Sequence, residues 1–208
     1  MQKILLIAGM MLGVALLAAA PGLAQDPVPV VSGDDYVLGK ADAPVTIIEY
    51  ASLTCPHCAA FARDTLPKLK TDWIDTGKAK LVFRDYPLDR FALLAAVVAR
   101  CAPKERYFAF IESFFDSQDS WARAANPLTA LKGIARIGGM NADTFDRCVA
   151  NDELQRKVVE VEAKAKDNFS VDSTPTFFIE SANGSSRLVG EQPFAEFEKE
   201  LNKALPKS

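Results

Sequence analysis

The sequence predicts an α/β fold in which an all-helical subdomain interrupts a sheet domain. Its first part has a strand-like run at 45–50, a helix-like run at 59–73 and a second strand-like run at 80–85. Residues 88–169 show helical periodicity alone, and strand character returns at Thr176 before a final helix. The predicted order is therefore βαβ, a helical insertion, and ββα.

Residues 1–24 are the first predicted segment, a secretory signal peptide. One basic residue, Lys3, precedes the apolar run Ile4–Ala20, and small residues follow it. This pattern is typical of a leader that is cleaved, so we expect the mature chain to begin near Gln25. The alternative is a retained membrane anchor, because the apolar run is about as long as the shortest spanning helices.

The next segment, residues 25–87, begins with an extended lead-in and contains the predicted βαβ unit. The run 45–50 is β-branched and mostly apolar, as expected of a strand buried on both faces, and Glu49 is the exception within it. The helix starts at Pro56, where a first-turn proline loses no hydrogen bond, and we expect it to bend at Pro67. The crossover between the two strands predicts that they are parallel and that the connection is right-handed.

Residues 88–169 are predicted to form the helical subdomain. Apolar side chains recur there at spacings of three and four, for example at Phe91, Leu94 and Val98. Proline, capping and glycine residues mark where its helices begin and end: Pro103, Asn126-Pro127 and Gly138-Gly139.

The last segment, residues 170–208, is predicted to complete the sheet. Strand-like runs at 176–179 and 187–189 flank Asn183-Gly184, a dipeptide typical of tight turns. A helix from 193 to 205 follows. We therefore expect an antiparallel hairpin and a closing helix.

Charge and cysteine content narrow the function classes. The 208 residues have a net charge of −3, and nothing in this balance suggests nucleic acid as a partner. A chain of this size can bury a core without disulfides, so its cysteines need another explanation. Export implies an oxidising compartment, where four cysteines are most simply read as two pairs, with three possible connectivities.

Cys55, Pro56, His57 and Cys58 form a C-x-x-C motif at a strand-to-helix junction. The helix N-terminus stabilises a negative charge, and His57 can add a donor or a positive charge, so the motif predicts an exposed, activated Cys55 thiolate. Cys58 lies one turn further in and is predicted to close or resolve a mixed disulfide with Cys55. The alternatives are half of a zinc site and a purely structural disulfide.

The other two cysteines, Cys101 and Cys148, lie in predicted helices of the insertion. We interpret them as a structural disulfide that cross-links the subdomain to itself and stabilises it by roughly 4 kcal/mol on the chain-entropy estimate. Two alternatives remain open, an electron relay to Cys55 and a pair of free buried thiols.

Glu49 lies at the end of an apolar strand, six residues before Cys55. A buried carboxylate is costly unless it moves protons or finds partners, so we predict that Glu49 accepts the proton of Cys58 during exchange. The alternative is an exposed strand-end residue without a role.

The run EYASLTCPHC at 49–58, the helical insertion and the run STPTF at 173–177 resemble the DsbA family of periplasmic thiol:disulfide oxidoreductases, in particular its alphaproteobacterial members. The resemblance implies a thioredoxin-like fold with an inserted helical domain. It also implies a periplasmic protein that oxidises newly exported, reduced proteins and is reoxidised by a quinone-linked membrane partner of the DsbB type. No cofactor or metal is implied beyond the redox-active disulfide.

Carried over residue by residue, the resemblance assigns Cys55 as the nucleophile, Cys58 as its partner and Glu49 as the buried acid. The Pro56-His57 dipeptide tunes reactivity, and Thr174-Pro175 is implied to be a cis-proline loop that docks the peptide. The threonine before this proline departs from the best-known members, as does the pair formed by Cys101 and Cys148.

The direction of exchange is the remaining alternative. Disulfide isomerases resemble the Thr174 pattern, but they generally add a dimerisation domain, for which the stretch before the first strand is too short. We therefore predict a monomeric oxidase, with an isomerase or reductase as the alternative, and a metal-binding or chaperone-like module as the non-enzymatic one.

Overall fold

The computed structural model describes residues 27–206, whose strands form one five-stranded sheet; the predicted leader lies outside this range. The strands follow one another along the sheet in the order β1-β3-β2-β4-β5. Their bounds are β1 Tyr36–Leu38, β2 Val45–Ala51, β3 Ala79–Asp85, β4 Thr176–Ser181 and β5 Gly184–Val189. No helix within 27–206 is long and apolar enough to cross a membrane.

The sheet confirms the predicted βαβ and ββα pairing. β2 and β3 are parallel, and β4 is antiparallel to both β2 and β5. β1 was not predicted; it pairs antiparallel with β3 through only three residues, Tyr36–Leu38. Three residues are too few to show the alternation of apolar and polar side chains that identifies a strand. This segment is a strand because it pairs with the free edge of β3.

The active-site helix begins at Pro56, as predicted, and ends at Ile74, one residue after the predicted run, but it is not a regular α-helix. Two α-helical turns, Pro56–Ala60 and Leu66–Leu69, alternate with two π-helical turns, Phe61–Thr65 and Lys70–Ile74. Pro67 has no N–H to donate, and its ring would clash with a carbonyl in the preceding turn of a regular helix. We expected the helix to bend at Pro67. In the structure the irregularity is the wider π-helical turn that precedes Pro67.

The insertion is all-helical, as predicted. Asn126 accepts a hydrogen bond from the Thr129 amide, and Gly139 ends that helix with a positive φ of 84°. Besides one 3-10 turn, Lys104–Arg106, its helices are Arg90–Cys101, Tyr107–Asp116, Gln118–Ala122, Pro127–Ile137, Ala142–Val149 and Asp152–Phe169. The short helix Gln118–Ala122 was not predicted; Cys148 lies in the fifth of these helices, two helices after it.

Apolar side chains cover both faces of the sheet and join it to the insertion. One face packs against the active-site helix and the closing helix Phe194–Ala204, and the other packs against helix Asp152–Phe169. The carboxyl ends of β2 and β3 continue into the aromatic core of the insertion through Ala51 and Phe83. The loop after β2, which carries the C-x-x-C motif, therefore lies where the sheet meets the insertion.

Candidate active site

Cys55 and Cys58 lie at the start of the active-site helix, just beyond β2. Cys55 is the N-cap residue, with an extended backbone (φ −80°, ψ 121°), and Cys58 lies one turn into the helix. Both are free thiols, Cys55 with 5% of its surface exposed and Cys58 with none. The first sulfur is thus less exposed than we predicted, because the loop around Thr174 lies against it.

The surroundings of Cys55 favour its thiolate. A hydrogen bond from the Cys58 thiol is the largest cause that lowers the pKa of Cys55 to about 5 against the opposing effect of burial; Thr174 and the Cys58 and His57 amides also contribute. The amides belong to the first turn of the helix, whose dipole acts in the same direction.

The surroundings of Cys58 favour its neutral thiol. Burial is the main cause that raises the pKa of Cys58, followed by its hydrogen bond to Cys55 and by the negative charges of Cys55 and Glu49. The two thiols therefore differ sharply, and near neutral pH Cys55 is the anion and Cys58 keeps its proton.

Glu49 is buried beneath the motif, with 2% of its surface exposed, so the alternative of an exposed strand-end residue is wrong. Its Oε1 atom has no hydrogen-bond partner among the described residues 27–206. Burial, together with the charge of Cys55, raises the pKa of Glu49 to about 8. A carboxyl group with this pKa can gain or lose a proton near neutral pH, so proton transfer with Cys58 stays our prediction for it.

Thr174 and Pro175 form a loop directly against Cys55. The peptide bond between them is cis, and the Cys55 thiol donates to the Thr174 carbonyl oxygen at 3.3 Å. The Thr174 hydroxyl is buried, and in this dithiol state it makes no hydrogen bond to the part of the chain that the structure describes. It can therefore turn to donate to the Cys55 thiolate, which agrees with its lowering the pKa of Cys55.

His57 contributes to the site differently from our prediction. Its backbone amide lowers the pKa of Cys55, whereas its imidazole is exposed and its Nδ1 atom lies 3.2 Å from Oε2 of Glu191. Sequence reasoning missed Glu191. No local signal could have found it, because 134 positions separate the two residues.

Two further residues that were not predicted hold the loop before the motif. Gln118 Nε2 donates to the backbone carbonyls of Leu53 at 2.9 Å and Cys55 at 3.0 Å. Thr54 donates its hydroxyl to Asp89, which also caps helix Arg90–Cys101. The capping pattern of Asp89 was readable from the sequence, but the contact of Gln118 depends on how the insertion packs.

Cys101 and Cys148 are joined by a disulfide between two helices of the insertion, Arg90–Cys101 and Ala142–Val149. This bond leaves neither sulfur free to bind zinc with Cys55 and Cys58. Cys55, Cys58 and Thr174-Pro175 therefore lie in one site. Cys101 and Cys148 lie outside it and cross-link two helices of the insertion.

Comparisons with known proteins agree with this geometry. A sequence model of the family described as Thioredoxin matches residues 31–202. The crystal structure of alpha-DsbA1 from Wolbachia pipientis is 34% identical with a TM-score of 0.77, over 86% of this chain and 92% of that one.

Two curated relatives match this chain over only about two thirds of their own length or less. Disulfide bond formation protein D of Bacillus subtilis is 28% identical over 69% of this chain and 66% of its own length. A Rickettsia bellii homologue named as a protein-disulfide oxidoreductase is 30% identical over 70% of this chain, and the aligned part spans 57% of that homologue. By the matches to the thioredoxin model and to alpha-DsbA1, the chain belongs to the DsbA family of thioredoxin-like proteins.

Proposed function

We propose that this protein is an exported thiol:disulfide oxidase that donates a Cys55–Cys58 disulfide to reduced proteins. The observation that carries the proposal is the difference between the two thiols, with a pKa of about 5 for Cys55, lowered mainly by the hydrogen bond from Cys58. Stabilising the Cys55 thiolate stabilises the dithiol form relative to the disulfide. A protein whose dithiol form is stabilised is a strong oxidant toward other thiols.

The first step is attack by a substrate thiolate on the Cys55 sulfur of the Cys55–Cys58 disulfide. The bond between the two cysteines breaks, a mixed disulfide forms between the substrate and Cys55, and Cys58 leaves as a thiolate. Because burial is the main cause that raises the pKa of Cys58, this thiolate takes up a proton, and we assign its supply to the buried acid Glu49.

The second step releases the oxidised substrate. A second substrate thiolate attacks the substrate sulfur of the mixed disulfide, and Cys55 leaves as a stabilised thiolate. The substrate has lost two electrons, and the protein has gained them as a dithiol. The cis Thr174-Pro175 loop beside Cys55 is the proposed dock for the substrate backbone.

We also propose a location, substrates and a reoxidant for the protein. Residues 1–24 have the pattern of a cleaved leader, which supports a periplasmic location for the mature chain. Reduced, newly exported proteins are the proposed substrates, and a DsbB-type membrane protein is the proposed reoxidant. A monomer suffices, since the described residues of one chain supply the whole site.

The test is to measure the Cys55 pKa by thiolate absorbance and the reduction potential against glutathione. We expect a Cys55 pKa near 5 and a potential well above that of thioredoxin, which is about −270 mV. A pKa near the ordinary value of roughly 8.5, with a potential near that of thioredoxin, would reject the oxidase.

Isomerase activity is the second candidate, and Thr174 is the residue that favours it. Its hydroxyl is buried beside Cys55 and has no partner within residues 27–206, at a position where the best-known oxidases of the family carry an aliphatic residue. An isomerase would rescue scrambled disulfides rapidly in its reduced form and would oxidise reduced substrates poorly. The oxidase should show the reverse.

A further inference from the structure

The His57 side chain belongs to the C-x-x-C motif, but the proposed exchange steps give it no role. Its imidazole is exposed over 68% of the side-chain surface, and its Nδ1 atom lies 3.2 Å from Oε2 of Glu191. The Cys55 thiol has a different partner, the Thr174 carbonyl oxygen at 3.3 Å. Within residues 27–206 of this dithiol form, the imidazole is therefore hydrogen-bonded to a carboxylate and not to the neighbouring sulfur.

Glu191 lies in a short loop that is tied down on both sides. On one side the Gly190 amide donates to the Pro175 carbonyl oxygen at 2.8 Å. On the other side the buried Thr65 hydroxyl donates to the Gln192 carbonyl oxygen at 3.1 Å. Because Thr65 belongs to the active-site helix, the loop joins the cis-proline peptide to the helix that carries the C-x-x-C motif. The carboxylate that holds the imidazole is thus fixed in place by backbone contacts.

Arg63 lies further along the same helix and is engaged elsewhere. Its guanidinium donates to both carboxylate oxygens of Asp64, at 2.9 and 2.7 Å. The partner of Glu191 on this helix is therefore His57. An exposed pair of this kind contributes little to folding stability. Its consequence is for the position of the imidazole.

The imidazole is within reach of Cys55 when Glu191 does not hold it. The His57 amide is one of the donors to the Cys55 sulfur, and the Cβ atom of His57 is only two bonds from that nitrogen. Rotation about the two χ angles of the side chain therefore turns the ring from Glu191 toward the sulfur. A ring N–H that donates to a thiolate stabilises it, because hydrogen bonds to a charged acceptor are the stronger ones.

We propose that Glu191 is a positioning residue that limits the oxidising power of the Cys55–Cys58 pair by holding the His57 imidazole away from the Cys55 sulfur. The inference rests on the proposed oxidase function. The Cys55 thiolate exists in the dithiol form and not in the disulfide form, so an imidazole that contacts it stabilises the dithiol alone. By preventing this contact, Glu191 shifts the balance back toward the disulfide.

The test is the redox equilibrium with glutathione. In the oxidising direction Cys55 first attacks oxidised glutathione, a mixed disulfide forms, and one glutathione leaves as a thiolate. Cys58 then gives up its proton and attacks the Cys55 sulfur, which closes the Cys55–Cys58 bond and releases the second glutathione. The protein loses two electrons, and glutathione gains them. Acid quench followed by mass spectrometry counts the dithiol, mixed-disulfide and disulfide forms at fixed ratios of reduced to oxidised glutathione.

We expect Glu191→Ala to shift this equilibrium toward the dithiol form on the order of fivefold, which is about 20 mV for a two-electron couple. Glu191→Gln keeps an acceptor for the imidazole N–H and should shift the equilibrium less. In a His57→Ala background, Glu191→Ala should have no effect, because no ring remains to be released.

Glu196→Ala is the matched control. The Glu196 side chain is 44% exposed, close to the 40% of Glu191, and it also belongs to an ion pair, but its partner is Lys199. The control removes the same charge from the same region of the chain and leaves the imidazole held. It should keep the wild-type equilibrium.

A second readout follows the imidazole itself. His57 is the single histidine among the 208 residues, so nitrogen NMR of the untagged protein reports on this ring alone. The ring nitrogen shifts should change more on reduction of the Cys55–Cys58 disulfide in Glu191→Ala than in the wild type, because only the released ring contacts the thiolate. A purely structural role of Glu191 would not produce this difference.

An unchanged equilibrium in Glu191→Ala would overturn the proposal. So would an equal shift in Glu191→Gln, or a shift that persists without His57, because either result would mean that the carboxylate charge acts on the thiolate directly. The measurement compares variants with the wild type, so it remains informative if the wild-type potential excludes an oxidase.

Discussion

At the scale of single residues, the site depends on one asymmetry between two cysteines three positions apart. Cys55 lies at the helix N-terminus and receives hydrogen bonds, whereas Cys58 lies in the core above a buried acid, Glu49. Both side chains are thiols, so their positions in the fold, and not their chemical type, make their pKa values differ. Three consequences can be tested on individual side chains.

The stability of the dithiol form should depend on pH through Cys55. Its folded pKa of about 5, lowered mainly by the Cys58 hydrogen bond, is below the unfolded value of 9.0. The resulting stabilisation is fully present above pH 9.0 and is lost as the pH falls through about 5. The dithiol form should therefore have a higher unfolding free energy than the disulfide form, and this difference should shrink as the pH falls from 9.0 to about 5. Urea titrations of both forms measure it. A constant difference would contradict the Cys55 assignment.

Glu49 should have the opposite pH dependence. Its folded pKa of about 8, raised mainly by burial, is above the unfolded value of 4.5, so stability is lost as the pH rises between these values. Glu49→Gln removes the titrating group, and the variant should lose less stability across this range than the wild type. Urea titrations of the disulfide form provide the measurement; Cys55 carries no charge there, so burial alone raises the pKa of Glu49 and the direction of the effect is the same. Parallel pH profiles would mean that Glu49 is not the buried acid.

Glu49→Gln should also slow mixed-disulfide closure, because glutamine cannot take the proton of Cys58. General base catalysis contributes on the order of 10²-fold or more, which sets the expected loss. Quench experiments at neutral pH would measure it, with the first attack by Cys55 as the internal control. Closure at the wild-type rate would remove Glu49 from the mechanism.

At the scale of elements, the loop between β2 and the active-site helix is held by two helices of the insertion. Gln118 satisfies the carbonyls of Leu53 and Cys55, and Asp89 joins the cap of helix Arg90–Cys101 to Thr54. The insertion therefore shapes the site directly, although it carries neither reactive thiol.

Removing the Asp89 cap should test this connection. Asp89 Oδ1 accepts from the amides of Phe91 and Ala92, so Asp89→Ala should lower the unfolding free energy by about 1–2 kcal/mol. Asp89→Asn keeps an acceptor at the cap and should retain most of the stability. Urea unfolding of the three proteins measures the difference, and equal losses in both variants would show that the cap is not the cause.

At the scale of the whole molecule, the core of the insertion includes the carboxyl ends of β2 and β3, and the insertion has its own cross-link. The Cys101–Cys148 disulfide closes a loop with a sequence separation of 47. It constrains the unfolded chain within the insertion, whereas the reactive pair lies at the boundary with the sheet.

Replacing both Cys101 and Cys148 by alanine should lower the unfolding free energy by up to about 4 kcal/mol. Thiol exchange at Cys55 should continue, because neither residue takes part in it. Denaturation and glutathione exchange of the double variant check the two expectations. Loss of exchange in a folded variant would revive the interpretation of this pair as an electron relay.

Much of this protein follows from local sequence. Val45–Ala51, the proline at the first turn of the active-site helix and the Asn183-Gly184 turn are recognisable because strand alternation, capping and turn chemistry act over a few residues. The C-x-x-C motif at a strand-to-helix junction likewise predicts the order of the two thiols. Glu49 was noticed because a carboxylate is unexpected in an apolar strand.

Only the tertiary structure decided which distant residues complete the site. Glu191 and Gln118 have no local signal, since each takes its place through a partner far along the chain. The cover of Thr174 over Cys55 is of the same kind, across 119 positions. The sequence by itself therefore determined the reactive pair and the order of elements, which depend on short-range backbone chemistry. The burial and charge that set the two thiols apart depend on packing, which only the folded chain provides.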